Sequence, residues 1–224
     1  ADYLIKRFFR PANADKILSM LHQLAMIDED LDPKEQELLE TFAKEWNIEY
    51  NVDKLNKERK IGTQHNYMLL RKNLKDYLDV YPPHEQVAQL RDMMDAIIKA
   101  DEKVTDEEDL IQSELMGLIS NYLDKENSQE HYNVLIVPQK PDHEELIKQL
   151  LPESKKMKIS GGEAYLIGTY YSITYAEMIC KQYQKYNIFT IVLTPEESKE
   201  SKKIEDRHSE FGSDSKITEK EKNM

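Results

Sequence analysis

The chain has 224 residues, 39% hydrophobic and 33% charged, with a formal net charge of −12 and a mean hydropathy of −0.74. This composition indicates a soluble, helix-rich protein, and no run reaches the roughly 18 apolar residues that span a bilayer. The single Cys180 excludes an internal disulfide and favours a cytoplasmic setting. Because the chain begins with Ala, it is also compatible with the cytoplasmic part of a longer, membrane-associated protein.

The charge is concentrated in the first part of the chain. Residues 1–130 carry 28 acidic and 17 basic side chains, a net charge of −11, whereas residues 131–195 have a net charge of +1. An acidic surface repels phosphate backbones and attracts cations or basic proteins. We therefore expect a protein partner with a basic surface, no nucleic acid, and no membrane insertion by this segment.

Residues 1–126 have the periodicity of an all-helical domain. Apolar residues recur at three- and four-residue spacing from about Ala12 to Ile27, and a second helix begins at Pro33 with Asp32 as its N-cap. A weaker helical segment runs from Asp53 to Lys60. Three further helices are predicted: one carrying Met68, Leu69, Leu74, Tyr77 and Leu78, one that follows Pro82 and Pro83 and runs to Ala100, and one that begins after Thr105.

Two carboxylate-rich turns are the most unusual feature of this domain. The first, DEDLDPKE, starts at Asp28, and a related stretch, DEKVTDEE, starts at Asp101, at an offset of 73 residues. The third helical position is Glu35 in one copy and Glu108 in the other, so each completes a capping box. The pattern predicts a helix-turn-helix unit that occurs twice in one bundle.

Helix capping does not explain Asp28 and Asp101, because each follows the last turn of a helix, where the dipole disfavours a carboxylate. A divalent cation shared with the next helix is one explanation. An EF-hand does not fit, since Pro33 occupies the position that requires Gly and Leu39 the position that requires Glu. Oxygen ligands favour Ca²⁺ or Mg²⁺, so Ca or Mg is the candidate cofactor.

The motif resembles the tellurite-resistance TerB-like domains over residues 12–124. It consists of a helix ending in Ala-x-x-Asp or Ala-Asp, a short turn, an aliphatic residue, and Glu seven positions after the Asp, and it occurs twice. The resemblance implies an all-helical fold and metal ligands at Asp28, Glu35, Asp101 and Glu108. In that family the Asp is commonly followed by Gly, whereas this chain has Glu29 and Glu102.

Residues 131–195 change to alternating strands and helices. The order β-α-β-β-α-β is predicted, with YNVLIVPQ, KKMKIS, EAYLIGTYY and NIFTIVL as strands, and it is typical of the ferredoxin-like fold. The fold class is therefore α+β, a helical bundle followed by a small βαββαβ domain. Residues 196–224 are expected to be a disordered charged tail or, if ordered, a helix held by a partner.

The spacing of Gly168, Tyr170 and Ala176 resembles the second half of SPOR domains, which bind cell-wall glycan strands. That resemblance implies sugar contacts by Tyr165 and Tyr170. The alternative is that these tyrosines pack beneath the helices or form a protein-docking face, and Pro138 departs from the family pattern in the first half. Pairing of an edge strand between two copies would give a homodimer.

No nucleotide-binding loop, zinc-protease motif or nucleophile elbow is present in the sequence. Cys180 lies on the predicted buried face of a helix, which favours a packed thiol over a nucleophile. We therefore expect a non-enzymatic bacterial adaptor that acts by protein–protein contact. The alternatives are a sensor of divalent cations and an envelope glycan-binding protein.

Overall fold

The computed structural model describes residues 10–58, 63–100, 105–124, 130–159 and 162–198, without the side chains of Glu58, residues 63–65 and Glu107. The chain divides into two compact units, Ala1–Gln129 and Glu130–Met224, here called the helical unit and the sheet unit. The helical first half followed by a small antiparallel sheet confirms the α+β class. Along the described stretches, no helix combines the length and hydropathy required to cross a membrane.

Six helices form the described part of the helical unit. They are α1 (Ala14–Ala25), α2 (Pro33–Glu45), α3 (Val52–Glu58), α4 (Thr63–Leu78), α5 (His84–Ile98) and α6 (Asp106–Leu123). Each predicted helix is present, and the ends differ by only a few residues because helix termini carry the weakest apolar signal. Proline at the first position of α2 costs no hydrogen bond, since that amide has no partner within the helix.

The core of the helical unit is built around α1, which packs against α2, α4 and α5. Ile17, Leu21 and Leu24, spaced at helical intervals, are fully buried or nearly so. The ring of Phe42 in α2 stacks on that of Trp46, the residue that caps the end of α2, with centroids 5.7 Å apart. Leu70 and Leu74 supply the buried side of α4, whereas Met68 lies on its outer side with 41% of its surface exposed.

A buried ion pair joins α4 to α6. The Arg71 Nε–H donates to Glu114 Oε1 at 2.6 Å, and the Glu114 side chain is fully buried. A buried carboxylate is costly without a partner, and removing one member of such a pair typically destabilises a protein by about 3–5 kcal/mol. The pair therefore constrains α4 and α6 to a single arrangement.

The sheet unit has the predicted element order. It contains β1 (Tyr132–Ile136), α7 (Pro141–Leu150), β2 (Lys155–Ile159), β3 (Gly162–Tyr170), α8 (Ile173–Gln184) and β4 (Thr190–Leu193). The four strands are antiparallel and lie in the order β2-β3-β1-β4, so β2 and β4 form the edges.

A β-bulge in β3 decides which side chains share a face of the sheet. Val134 pairs with Gly168 and Leu135 pairs with Leu166, so Ile167 is an extra residue without an opposite number. Side chains alternate between faces along a strand, and the extra residue reverses this alternation. Tyr165 and Tyr170, an odd number of positions apart, consequently lie on the same face.

One face of the sheet is covered by helices. Ile136 of β1 and Tyr165 of β3 pack there with Ile147 of α7 and with Ile188, and Tyr183 of α8 joins the cluster. We call this the helix-covered face. Because α7 and α8 both follow their strands by crossover connections, they reach the same side of the sheet.

The opposite face, here called the second face, is also apolar. Leu135, Ala164 and Leu193 are buried on it, and five partly buried side chains pack against them: Val137, Met157, Ile159, Leu166 and Ile191. After β4, residues 195–198 form a helical turn, in contrast to the disorder expected from residue 196 onward. The remainder of the expected tail, 199–224, lies outside the described residues.

Candidate functional site

The turn between α1 and α2, residues 28–32, is the candidate site and is here called the acidic turn. After α1 ends, the Glu29 N–H donates to Met26 O at 3.1 Å, and Glu29 adopts a φ of 74°. This left-handed conformation is the one that glycine adopts without strain, and it costs other residues about 1–2 kcal/mol. The turn therefore keeps a glycine-type geometry although Glu29 stands at that position.

The Asp28 carboxylate is occupied by a local hydrogen bond. The Asp30 N–H donates to Asp28 Oδ1 at 3.0 Å, which closes an Asx turn. This contact offsets part of the unfavourable interaction between Asp28 and the negative end of the α1 dipole. The Asp30 amide thus gives the Asp28 carboxylate a favourable partner, which the sequence analysis had expected a cation to provide.

Asp28, Asp30 and Asp32 form no ion pair within the described residues. Asp30 is exposed, and Asp28 and Asp32 are partly exposed. Each carboxylate therefore retains access to solvent and at least one oxygen that can accept from an external donor. Together with the exposed Glu29, they form a compact negative surface.

Glu35 acts as a capping residue rather than as an open ligand. The Asp32 N–H donates to Glu35 Oε2 at 3.1 Å, and the Lys34 N–H donates to Asp32 Oδ1 at 2.7 Å. This is the predicted capping box at the start of α2. Only 3% of Glu35 is exposed, so its carboxylate faces the interior and not a solvent-filled turn.

The second copy has the same helix start. The Thr105 N–H donates to Glu108 Oε2 at 2.8 Å, and the Thr105 hydroxyl donates to the same oxygen at 3.0 Å. The predicted capping box of α6 is therefore confirmed, with Glu108 buried. Asp101, the other predicted ligand of this copy, lies outside the described residues.

The positions of the described carboxylates give little support to the predicted cation site. Among the described residues, no group of three or more His, Cys, Asp or Glu side chains is placed so that it could hold a metal ion. The Glu35 and Glu108 carboxylates accept hydrogen bonds from the N-cap residues of their own helices. Within the described residues, Asp28 is not grouped with two further side chains that could bind a metal ion. A Ca²⁺ or Mg²⁺ site thus stays a prediction.

A buried polar network around His22 in the helical unit was not predicted from the sequence. His22 of α1 is fully buried, with Nδ1 2.9 Å from the Tyr50 hydroxyl and Nε2 3.1 Å from Asn56 Oδ1. Burial, then the nearby Glu40 and Glu35 carboxylates, raise the pKa of Tyr50, so its hydroxyl stays protonated and can donate to Nδ1. His22 therefore connects α1 with α3 and with the segment between α2 and α3.

The aromatic candidates of the sheet unit are part of its core. Tyr165 is 6% exposed and Tyr170 is 7% exposed, both on the helix-covered face. The Tyr170 ring packs against Tyr175 of α8 with centroids 5.6 Å apart. A sugar ring has no free aromatic surface on these two side chains in this conformation.

The spacing of Gly168 and Tyr170 has a packing explanation. A Cβ placed on Gly168 would lie 2.9 Å from the Tyr170 hydroxyl oxygen, closer than such contacts occur. The tyrosine side chain thus extends back over the glycine, which leaves room for it. This motif, which motivated the SPOR resemblance, is accounted for by local packing.

Cys180 also has a structural environment. It is buried in α8, and burial is the main cause that raises the pKa of its thiol. A raised pKa reduces the thiolate fraction at neutral pH, and the thiolate is the reactive species. Cys180 therefore has the character of a packed thiol.

No protein-family model, curated protein or solved structure matches this chain. The TerB-like and SPOR-like resemblances consequently depend on the residues quoted above.

Proposed function

We propose that this protein is a non-enzymatic bacterial adaptor whose helical unit recognises a basic partner protein through the acidic turn. One observation carries the proposal. Asp28, Asp30 and Asp32 stand within five residues, form no ion pair in the described part of the chain, and remain accessible to solvent. The partner is expected to present lysine or arginine side chains to this surface.

The backbone of the turn supports this proposal because it is held in one conformation. Glu29 occupies the left-handed region, Asp28 accepts from the Asp30 amide, and Asp32 caps α2. A surface that is already ordered loses less conformational entropy on binding than a flexible loop does. The negative field of residues 1–130 would also accelerate encounter with a basic partner.

The proposed architecture is a TerB-like helical unit joined to a ferredoxin-like sheet unit. The strand order β2-β3-β1-β4 with two helices on one face supports the second assignment. The sheet unit would mediate assembly, including a homodimer through an edge strand. The β4 edge is the better candidate, because β2 carries Lys155, Lys156 and Lys158, and such charges disfavour pairing.

Binding of a lysine-rich peptide to the intact protein tests the proposed surface. In the test variant Asp28, Asp30 and Asp32 are all replaced by Asn, which retains the side-chain acceptor of the Asx turn and the N-cap. In the matched control the exposed Glu37, Glu40 and Glu45 of α2 are replaced by Gln, an equal change in net charge.

The test variant is expected to bind the peptide about tenfold more weakly than the wild type, since three exposed charge contacts at roughly 0.5 kcal/mol each amount to one decade. The control is expected to lose much less, and the difference should shrink in high salt. Equal losses in the two variants would show that only net charge matters, and the acidic turn would then not be the site.

A sensor of divalent cations is the second candidate, and the conformation of Glu29 favours it. The turn retains the left-handed geometry that the TerB-like family achieves with Gly at this position. The capping roles of Glu35 and Glu108 weigh against it. Burial of Tyr165 and Tyr170 leaves the glycan-binding alternative without an aromatic surface from these residues.

A further inference from the structure

The exposed hydrophobic side chains of the helical unit are concentrated on α4 and the turn after it. In the described part of that unit, three large hydrophobic side chains are exposed: Met68 at 41%, Val80 at 64% and Tyr81 at 76%. Single exposed apolar residues are common on soluble proteins, but these three belong to one helix and the turn that follows it. Their common location points to a surface that another molecule covers.

Two lysines and two aspartates lie between these apolar ends. They follow Met68 at intervals of four, seven, eight and eleven positions, which is the spacing of residues on one side of a helix. All four side chains are at least 44% exposed. Together with the three apolar residues they form a surface that we call the α4 stripe: Met68, Lys72, Lys75, Asp76, Asp79, Val80 and Tyr81.

The charged part of the stripe is locally neutral and consists of weak ion pairs. Lys72 Nζ lies 2.6 Å from Asp76 Oδ2, and Lys75 Nζ lies 3.0 Å from Asp79 Oδ2. Exposed pairs of this kind contribute little to stability, so exchanging them for equivalent pairs with another molecule costs little. Residues 1–130 as a whole have a net charge of −11. A second acidic copy therefore meets less electrostatic repulsion at the stripe than at the acidic turn.

The turn that ends the stripe has an ordered and unusual backbone. Tyr81 adopts a φ of 55°, a left-handed conformation that bulky residues rarely adopt. Its N–H donates to Leu78 O at 3.0 Å, and the carbonyl oxygen of Pro82 accepts from the Tyr122 hydroxyl at 2.6 Å. Such a conformation persists only where the surrounding structure determines it. Val80 and Tyr81 are therefore presented by an ordered backbone, which lowers the entropic cost of binding.

We propose that two copies of this chain pair through the α4 stripe about a two-fold axis. With antiparallel α4 helices and the axis near position 74, Met68 faces the partner's Val80 and Lys72 faces the partner's Asp76, and symmetry repeats both contacts. Pairing of this kind requires a self-complementary surface, and the stripe has apolar residues at both ends and opposite charges between them. This dimer is independent of the acidic turn and of the β4 edge. Because the apolar contact is small, we expect a dissociation constant on the order of 100 μM.

Reciprocal charge variants of the intact chain test the pairing. In the acidic variant Lys72 and Lys75 are replaced by Asp, and in the basic variant Asp76 and Asp79 are replaced by Lys. Each variant alone places like charges opposite each other, so we expect a monomer in sedimentation velocity. An equimolar mixture restores opposite charges and should form a heterodimer, which native mass spectrometry identifies by its mass. Both variants keep a negative net charge, so general attraction between them cannot produce this result.

Substitutions at the two ends of the stripe test the apolar contacts. Tyr81→Asn removes the aromatic surface, and asparagine adopts the left-handed conformation more readily than tyrosine does. Met68→Gln removes an apolar side chain at similar helix propensity. We expect each to weaken dimerisation about tenfold without lowering the unfolding temperature. In the matched control Lys54 and Lys57 of α3 are replaced by Asp, the same change in net charge as in the acidic variant, and dimerisation should be unchanged.

A wild-type chain that remains monomeric at about 1 mM would overturn the proposal. A wild-type dimer that persists in either charge variant alone would also overturn it, because the contact would then lie elsewhere, for example at the β4 edge. If the wild type dimerises but the mixture of variants stays monomeric, the lysines and aspartates of the stripe do not face each other, and the proposal is again wrong. Circular dichroism confirms that each variant is folded. None of these outcomes affects the test of the acidic turn with a lysine-rich peptide.

Discussion

In the helical unit the carboxylates of the acidic turn lie at the surface, whereas in the sheet unit the tyrosines of β3 lie in the core. Both groups stand out in the sequence as candidates for binding. Asp28 and Asp32 combine a structural hydrogen bond with solvent access, but Tyr165 and Tyr170 use their aromatic surface to pack the sheet against its helices. The accessible candidate surface is therefore in the helical unit, and substitutions in either unit can break or sharpen this contrast.

Replacing Tyr165 by Ala is expected to have the largest effect. Truncating a buried aromatic side chain leaves a cavity, and we expect the sheet unit to lose roughly 3–5 kcal/mol of its free energy of unfolding. Urea denaturation of the intact protein, followed by the near-ultraviolet signal of the tyrosines, measures it. Tyr186, 58% exposed in the same unit, is the control, and its replacement by Ala should change stability by less than about 0.5 kcal/mol.

Replacing Asp32 separates its capping role from a ligand role. Asp32→Ala removes the N-cap of α2 and should cost about 1 kcal/mol, whereas Asp32→Asn keeps an equivalent acceptor and should cost close to nothing. Thermal unfolding with a chelator present gives both values. A comparable loss in the two variants would indicate that the negative charge, and not the cap, stabilises this turn.

Replacing Glu29 by Gly should stabilise the helical unit slightly. Glycine relieves the left-handed strain at this position, but it also increases the entropy of the unfolded chain, so we expect a net gain of about 0.5 kcal/mol. The same replacement at Glu37, within α2, should destabilise by about 1 kcal/mol. Losses at both positions in urea titrations would contradict the observed conformation of the acidic turn.

The helical turn after β4 should respond to acid. A hydrogen bond from the Thr194 amide, then one from the Thr194 hydroxyl, lower the pKa of Glu197 below its ordinary value. A lowered pKa means that the carboxylate stabilises the turn above the unfolded pKa of about 4.3 and loses this effect as the pH falls through its lower folded pKa. The Thr194 amide resonance should report the transition, and Glu197→Gln should remove it.

Much of this architecture follows from local sequence. Asp32-Pro33 followed by Glu35, and Thr105 followed by Glu108, are short-range patterns, and both produce the expected capping boxes. The β-α-β-β-α-β order follows likewise from apolar runs and turn residues. Such features depend on neighbours within a few positions, so a single sequence is sufficient to predict them.

Other features depend on contacts between distant residues. The bulge at Ile167 arises from the register of β3 against β1, and without it Tyr165 and Tyr170 would be assigned to opposite faces. The partners of His22 lie 28 and 34 residues away, at positions that share no motif with it. Local patterns therefore identified the acidic turn. Which of its carboxylates remain accessible depends, like the bulge and the His22 contacts, on the folded structure.

Calorimetric titration of the intact protein with Ca²⁺, Mg²⁺ and Zn²⁺ tests most directly whether the acidic turn serves a protein partner or an ion. Because we propose that the turn serves a protein partner, we expect no saturable heat with any of the three ions at concentrations up to about 1 mM, well above the range in which sensor sites fill. A dissociation constant of about 10 μM or tighter, lost when Asp28 and Asp101 are replaced by Asn, would contradict it and establish the cation sensor.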